Sequence, residues 1–395
     1  MTPEALRRID AVIQVGLRLV RTAPSGRIVL ARIAEAIELD WVPRPWGDDI
    51  VIELAAASQS AREPLAFSAV EDILRDDWGA NWSDELDELD PDPVAVTPSS
   101  QVHRAVLDGE PVAVKLLRPG LARAVRQDLG LVETLLAPLS SAFPALDAGA
   151  VIAEFRERVL EELDLEHEAG VQRRFHRALR GHPFLVAPAP VTRLSHENVL
   201  VSEWVDGVPP RAAPDPDLVA ARLVAFASGA VRERMIHADL TPENVLVLDD
   251  GRVAVLDYGA TRTVERDRAD KLIAALEAFA SGDAERFGQA LEALGAAPAR
   301  LGPAALDLLT HALDHLGGGE PSRLDSDAVI AARERLSERP GELGELVLAG
   351  SLRPEDLWPA RGDAQLFATI ARIGATGTWR ELVLDALRDG WRSAR

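Results

Sequence analysis

The sequence predicts an α+β chain of two lobes, and three observations carry that prediction. Two apolar-alternating hairpins each turn at an Asp-Gly pair, Asp108-Gly109 and Asp250-Gly251. A long helical pattern lies between them. From about Arg266 to the end the pattern is again helical, interrupted by "GGGEPS" (Gly317 to Ser322). A cleft between two lobes is a common place for a ligand.

Residues 1 to about 90 read as helices. "PEALRRIDAVIQVGLRLVR" places Leu6, Ile9, Val12, Ile13, Leu17 and Val20 near helical spacing. "FSAVEDILRDDWG" is a second amphipathic helix, with Ser68 as N-cap and Gly79 as stop. The acidic stretch from Ser83 to Val96 ends in two prolines and reads as a linker, with a boundary near Asp92. "SQVHRAVLDGEPVAVKLL" is the first hairpin. One long helix is expected from Asp147 to Leu179, with Ile152, Phe155, Val159 and Leu163 on one face. Pro188 and Pro190 break the chain before the strand "NVLVSEWV" and a turn at Asp206-Gly207. A helix from Leu218 to Met235 leads into the second hairpin. The resulting division is a helical extension (1–92), a small β-rich lobe (93–207) and a helical lobe (208–395).

Composition limits the function. The chain has 395 residues, 47% of them hydrophobic, and a net charge of −21. That balance excludes a nucleic-acid footprint, which needs a basic surface, and a polybasic membrane anchor. Cysteine is absent, so no disulfide framework or thiolate metal site exists. No apolar run reaches the roughly 18 residues of a transmembrane helix, and no signal-peptide pattern opens the chain. A cytoplasmic protein is expected. Of 43 basic residues only Lys115 and Lys271 are lysines. A compact ammonium in place of a guanidinium marks position 115 as chemically particular.

The chemistry lies in "IHADLTPENVLVLDDGRVAVLDYG" (Ile236 to Gly259) and in "VAVK". A nucleoside triphosphate needs a cation on its phosphates, oxygen ligands for Mg²⁺, and a group that orients or deprotonates the nucleophile. Lys115 ends the second hairpin strand, as in the kinase V-A-I-K pattern. Asp239 and Asn244 have the spacing of a kinase catalytic loop, and Asp257 opens "DYG" where kinases have D-F-G. One carboxylate and one amide oxygen suffice for Mg²⁺, which keeps several waters. Each piece alone is ordinary: D-x-x-x-x-N is a common loop, and "VAVK" a common strand. The order of all of them together is what points to a kinase-like fold.

The sequence resembles the UbiB-type, or AarF-type, atypical kinases, linked to ubiquinone biosynthesis and lipid metabolism. The resembling segments are "SSQVHRAVLDGEPVAVKLLRPG", "EELDLEHEAGVQRRF", "VLVSEWVDGVPP" and the Ile236 to Gly259 stretch. The resemblance implies a bilobal protein-kinase-like fold that binds ATP and Mg²⁺. It makes Lys115 the nucleotide lysine and Glu168 its acidic partner, and it matches Glu162 and Asp164 to the family's E-x-D. It implies Asp239 as catalytic-loop carboxylate, with Asn244 and Asp257 as metal ligands. Glu203-Trp204-Val205 becomes the adenine hinge, with Glu203 and Val205 offering backbone groups. Ser99, Ser100 and Gln101 fall at the nucleotide loop. Three departures stand out: no K-x-G-Q signature, "AVTPSS" in place of an alanine-rich loop, and "HADLTPEN" closer to ordinary protein kinases.

Two classes of function follow from the resemblance. The first is a Mg-ATP-dependent enzyme, either an ATPase or a phosphotransferase to a Ser/Thr or other hydroxyl, with a protein or peptide as partner or substrate. The second is a pseudokinase that regulates a partner protein.

Overall fold

The computed structural model describes residues 62–126, 148–314, 320–349, 353 and 356–394. The helix expected at the N-terminus lies outside them. The first lobe is built on a four-stranded antiparallel sheet in the order β1-β2-β3-β5: β1 (Glu88–Val96), β2 (Ser100–Leu107), β3 (Glu110–Leu117) and β5 (Val199–Glu203). Asp108 and Gly109 both take positive φ, 53° and 82°, as a two-residue hairpin with right-handed strand twist requires. Alternation along β3 buries Val112, Val114 and Leu116 on one face. Against them packs α1 (Phe67–Trp78) through Val70, Ile73 and Leu74. Lys115 therefore belongs to the opposite face.

Two expectations about this lobe are corrected. The acidic stretch read as a linker is strand β1, and residue 92 lies inside it. Its prolines sit on an edge strand whose register to β2 shifts around Pro93, where a missing N–H costs least. The N-terminus of α1 is set by extended Ala66 with no side-chain cap, and Ser68 lies within the helix. Gly79 ends it as expected, at φ 91°.

The long helix between the hairpins is two helices, α2 (Ala148–Glu161) and α3 (Leu165–Ala178). The break is chemically determined. Asp164 takes an extended conformation and its carboxylate accepts the His167 N–H, at 3.0 Å, so it starts a new helix. Asp206-Gly207 closes no hairpin; the chain runs on to a bridge between Val208 and Val247. Glycine is needed there because a Cβ at 207 would lie 2.9 Å from the Val247 carbonyl oxygen.

The second lobe starts with α4 (Pro216–Arg232), which is N-capped by Asp215 and ends before Met235. Met235 belongs instead to β6 (Met235–His237), paired antiparallel with β9 (Thr261–Thr263). The expected second hairpin is β7 (Val245–Val247) and β8 (Val253–Val255), with β4 (Leu185–Val186) parallel to β8. Helices α5 (Arg266–Ser281), α6 (Ala284–Leu294) and α7 (Gly302–Ala312) follow. After β10 (Ser322–Arg323) come α8 (Ser326–Glu338), α9 (Pro340–Ala349) and α10 (Leu357–Ile373). The chain then forms β11 (Thr376–Gly377), paired with β10, and α11 (Trp379–Asp389).

The C-terminal segment enters the central core. The Trp391 ring lies 6.0 Å from that of Phe175 on α3, and its Nε1–H donates to the Phe226 carbonyl at 2.9 Å. Gly229 on α4 leaves the space the indole fills. Trp391→Ala is expected to lower stability by about 3 kcal/mol, the low end for a large aromatic, read as a shift of the denaturant midpoint. Gly229→Ala should destabilise as well, by pushing the indole out.

Candidate functional site

Lys115, from the centre of the sheet, meets carboxylates from two other segments. Its Nζ lies 2.9 Å from both carboxylate oxygens of Glu168 on α3 and 2.6 Å from Asp257 Oδ2, just beyond β8. Glu168 is buried in the first turn of α3. Burial works against the Lys115 charge, but the two carboxylates outweigh it and hold the ammonium well above the ordinary lysine range. Burial also pushes Glu168 up to about 7, assisted by the Asp257 charge. Burial opposes ionisation of Asp257 too, yet the adjoining ammonium prevails and holds it down at about 2. The two acids thus face one lysine unequally: Asp257 keeps its charge, and Glu168 holds its proton more tightly.

Gly259 follows from this crowding. Its N–H donates to Asp257 Oδ1 at 3.0 Å, and a Cβ there would stand 3.2 Å from Glu168 Oε2. Tyr258 turns into the core, with its ring 4.8 Å from Phe175 and 5.6 Å from His237. The Tyr258 hydroxyl donates to the Val255 carbonyl at 3.0 Å.

His237 joins the two halves of the site. The Asp239 N–H donates to its Nδ1, at 3.3 Å, so Nε2 carries the proton and donates to the Asp257 carbonyl at 2.7 Å. Burial pulls the ring down to about 4, which keeps it neutral in that tautomer. The following loop holds Asp239 and Asn244 together. Asn244 Nδ2 donates to Asp239 Oδ2, at 2.8 Å, and to the Asp239 carbonyl, at 3.1 Å. This fixes the amide so that its oxygen, the atom a metal needs, is not the one bonded to Asp239.

The other expected residues separate by role. Glu162 joins the Asp239 group through Arg361, whose Nη1 is 3.0 Å from Glu162 Oε1 and whose Nη2 is 3.0 Å from Asp239 Oδ1. Asp164 caps α3. Glu203 ends β5 with its Oε2 accepting the Ala189 N–H, at 2.9 Å. Among the described residues no hydrogen bond engages the Val205 backbone. Ser99 and Ser100 are buried at the β1–β2 turn, where the Thr97 hydroxyl lies 3.3 Å and 3.0 Å from theirs. Gln101 is wholly buried, accepting the Leu65 N–H and donating to His103. Arg361 had no signal in the sequence; it is one arginine among many on a C-terminal helix.

Residues 57–291 match the ABC1 atypical kinase-like domain. The chain belongs to that family. It is 30% identical over 259 residues to the uncharacterized protein slr0889 of Synechocystis, which covers 60% of this chain and 64% of that protein. It is 28% identical to a probable protein kinase UbiB of Marinobacter nauticus, over 61% of this chain and 47% of that one. The rat mitochondrial atypical kinase COQ8B is 29% identical over 81% of this chain and 62% of its own length. The chain thus spans between about half and two thirds of these relatives. In fold it is similar to Rv3197 of Mycobacterium tuberculosis, solved in complex with erythromycin: TM-score 0.59, 24% identity, 82% of this chain and 84% of that one. Among the described residues no helix is long and apolar enough to cross a membrane.

The Glu168 shift gives this site a pH signature. A carboxyl that is neutral more readily when folded favours the folded state below its unfolded pKa of about 4.3. That contribution is lost as pH rises toward about 7. The stability of wild type relative to Glu168→Gln should therefore fall between pH 5 and pH 7.5, measured by melts of both proteins at each pH.

Proposed function

We propose that this chain is a Mg-ATP-dependent phosphotransferase or ATPase that moves the terminal phosphoryl group to a hydroxyl oxygen or to water. The observation that carries the reading is the Lys115–Glu168 pair, with both carboxylate oxygens on one ammonium and Asp257 beside it. Glu168 fixes the lysine rotamer for the phosphates. Asn244 and Asp257 would hold Mg²⁺, and the donor set suits it: one amide oxygen and one carboxylate that stays ionised. Bound there, the metal supplies positive charge against the phosphates. Asp239 orients the acceptor and takes its proton as the acceptor oxygen bonds to the γ-phosphorus. The bond from that phosphorus to the bridging oxygen breaks, and its electron pair leaves with ADP. The Val205 backbone, which has no hydrogen bond among the described residues, would take an adenine edge.

The direct Lys115–Asp257 contact must open when nucleotide enters, because phosphate and metal compete for its two partners. The same contact favours a second reading, a pseudokinase whose polar set is satisfied within the chain and which regulates a protein partner. Mg-ADP is expected to raise the melting temperature of wild type. Saturation at 100 times Kd adds about 2.7 kcal/mol, and Asp257→Asn should lose most of that gain. An unchanged wild-type melt at millimolar Mg-ADP rejects the nucleotide reading.

Asp239→Asn separates the two readings. A general base is worth roughly 10²- to 10⁴-fold in rate. Turnover should fall by at least the lower figure with nucleotide Kd unchanged, following free phosphate and labelled acceptor separately from labelled ATP. A wild type that binds Mg-ADP but shows no turnover with co-purifying proteins present favours the pseudokinase.

A further inference from the structure

We propose that Arg361 is a positioning residue for phosphoryl transfer: it fixes the Asp239 carboxylate for the acceptor and makes the docking of α10 a condition of turnover. The inference rests on the phosphotransferase reading above.

The loop from Asp239 to Asn244 reads Leu240-Thr241-Pro242-Glu243 between them, with no cation of its own. A cation reaches Asp239 from Arg361, 122 positions along the chain. Its side chain is 7% exposed, and the guanidinium divides between two carboxylates, Asp239 on the loop and Glu162 in the break between α2 and α3. A planar fork of this kind sets the relative position of its two partners, which a lysine ammonium, as a point charge, does not. On the other side Asn244 holds Asp239 Oδ2, so both carboxylate oxygens are located.

Independent contacts along α10 grip the same loop. A Cβ at Gly362 would lie 3.0 Å from the His237 carbonyl oxygen, so a side chain there would push the helix and the loop apart by a few tenths of an ångström. The buried Thr369 hydroxyl donates to the Leu240 carbonyl, two turns farther along. Trp358 lies beneath the guanidinium, 5.3 Å from its ring centre. Two turns of one helix, separated by one turn between them, thus register against His237, Asp239 and Leu240.

A purely structural role is the competing account. Buried ion pairs are poor glue: desolvation offsets most of their attraction, and apolar residues of similar size stabilise as well or better. Stability alone therefore does not call for an arginine between two acids. A need to locate the Asp239 oxygen does, because a displacement of about 1 Å at a reacting group can cost 10²-fold in rate.

The test uses the full chain with Arg361→Gln, Arg361→Lys, Glu162→Gln and the Arg361→Gln/Glu162→Gln double variant. The readouts are kcat from labelled Mg-ATP with co-purifying proteins present, as free phosphate plus labelled acceptor, Kd for Mg-ADP, and melting temperature. Arg361→Gln should lower kcat by about 10²-fold while Mg-ADP affinity is retained, and Arg361→Lys should restore part of it. Glu162→Gln should lower kcat less, and its effect should vanish in the Arg361→Gln background, because Glu162 acts through the guanidinium. Wild-type kcat in Arg361→Gln overturns the inference. So does a joint loss of kcat, affinity and melting temperature that lysine does not restore. If Arg361→Gln does not fold, Arg361→Lys and Glu162→Gln decide: wild-type kcat in both overturns it. A wild type that fails to bind Mg-ADP, or that neither releases phosphate from Mg-ATP nor labels a co-purifying acceptor, rejects the reading above and this inference with it. A wild type that turns over, with variants that match it, rejects this inference alone.

Discussion

The ammonium of Lys115 between Glu168 and Asp257 is the contact on which the arrangement of the site depends. It joins three segments distant in sequence: the central strand of the sheet, the start of α3 and the end of β8. Each partner would be costly alone. A carboxylate as buried as Glu168 tends to take up a proton, and a buried ammonium to lose one. Together they remain in place because one cation faces two anions. The local structure serves this meeting. The α2–α3 break lets Asp164 restart the helix, which puts Glu168 in its first turn; an unbroken helix would have no such start there. Gly259 keeps side-chain volume out of the space between the acids.

Much of this was legible in the sequence, and the reasons are local. Asp-Gly turns announce hairpins because glycine takes positive φ at no steric cost and Asp tolerates it, and both hairpins form: the first with positive φ at Asp108 and Gly109, the second with positive φ at Gly251 alone. Alternation along "VAVK" assigns Lys115 to the face away from the core. The residues alone call for an acidic partner to Lys115 from the helix; that this partner is Glu168 comes from the resemblance to the UbiB-type kinases. The failures were of two kinds. Strand β1 is hidden because "ELDPDPVAV" has the composition of a linker; its edge position tolerates prolines and acids that a central strand would not. The α2–α3 break is hidden because apolar periodicity runs through it, and a single Asp cap overrules that periodicity. Arg361 is a different case. Its significance exists only in three dimensions, where α10 crosses the loop, and no spacing rule reaches across 122 residues.

Between the Lys115 group and the Asp239 group, the connection is through the core. His237 accepts from the Asp239 N–H on one side and donates to the Asp257 carbonyl on the other. Its ring stands edge-on to Tyr258 and Phe226, and Phe175 of α3 packs on both of those. A shift of α3 that moved Glu168 would therefore also move Phe175 against Tyr258. Trp391 extends this packing to the C-terminal segment, and the His182 ring bonds its carbonyl at 3.0 Å. The position of the acid that holds Lys115 is thus tied to residues near the end of the chain.

The charges around the site bear on what it can accept. Among the described residues, the ion pairs of Lys115 and Arg361 bring together Glu168, Asp257, Glu162 and Asp239. Asp257 keeps its charge beside Lys115, within a chain whose net charge is −21. A triphosphate is itself a polyanion, and like charges a few ångströms apart in a partly buried site repel by several kcal/mol at an effective dielectric of about 20. One lysine does not offset that repulsion, least of all while it is shared by two acids. Under the proposed reading a divalent cation is therefore a condition of nucleotide binding and not an accessory to the chemical step. It would neutralise Asp257, release Lys115 toward the phosphates and leave Glu168 as that lysine's remaining carboxylate. Arg361 has no such freedom: it is committed on both arms to keeping Glu162 and Asp239 from repelling each other, which is why its partners can stand close enough to define one geometry.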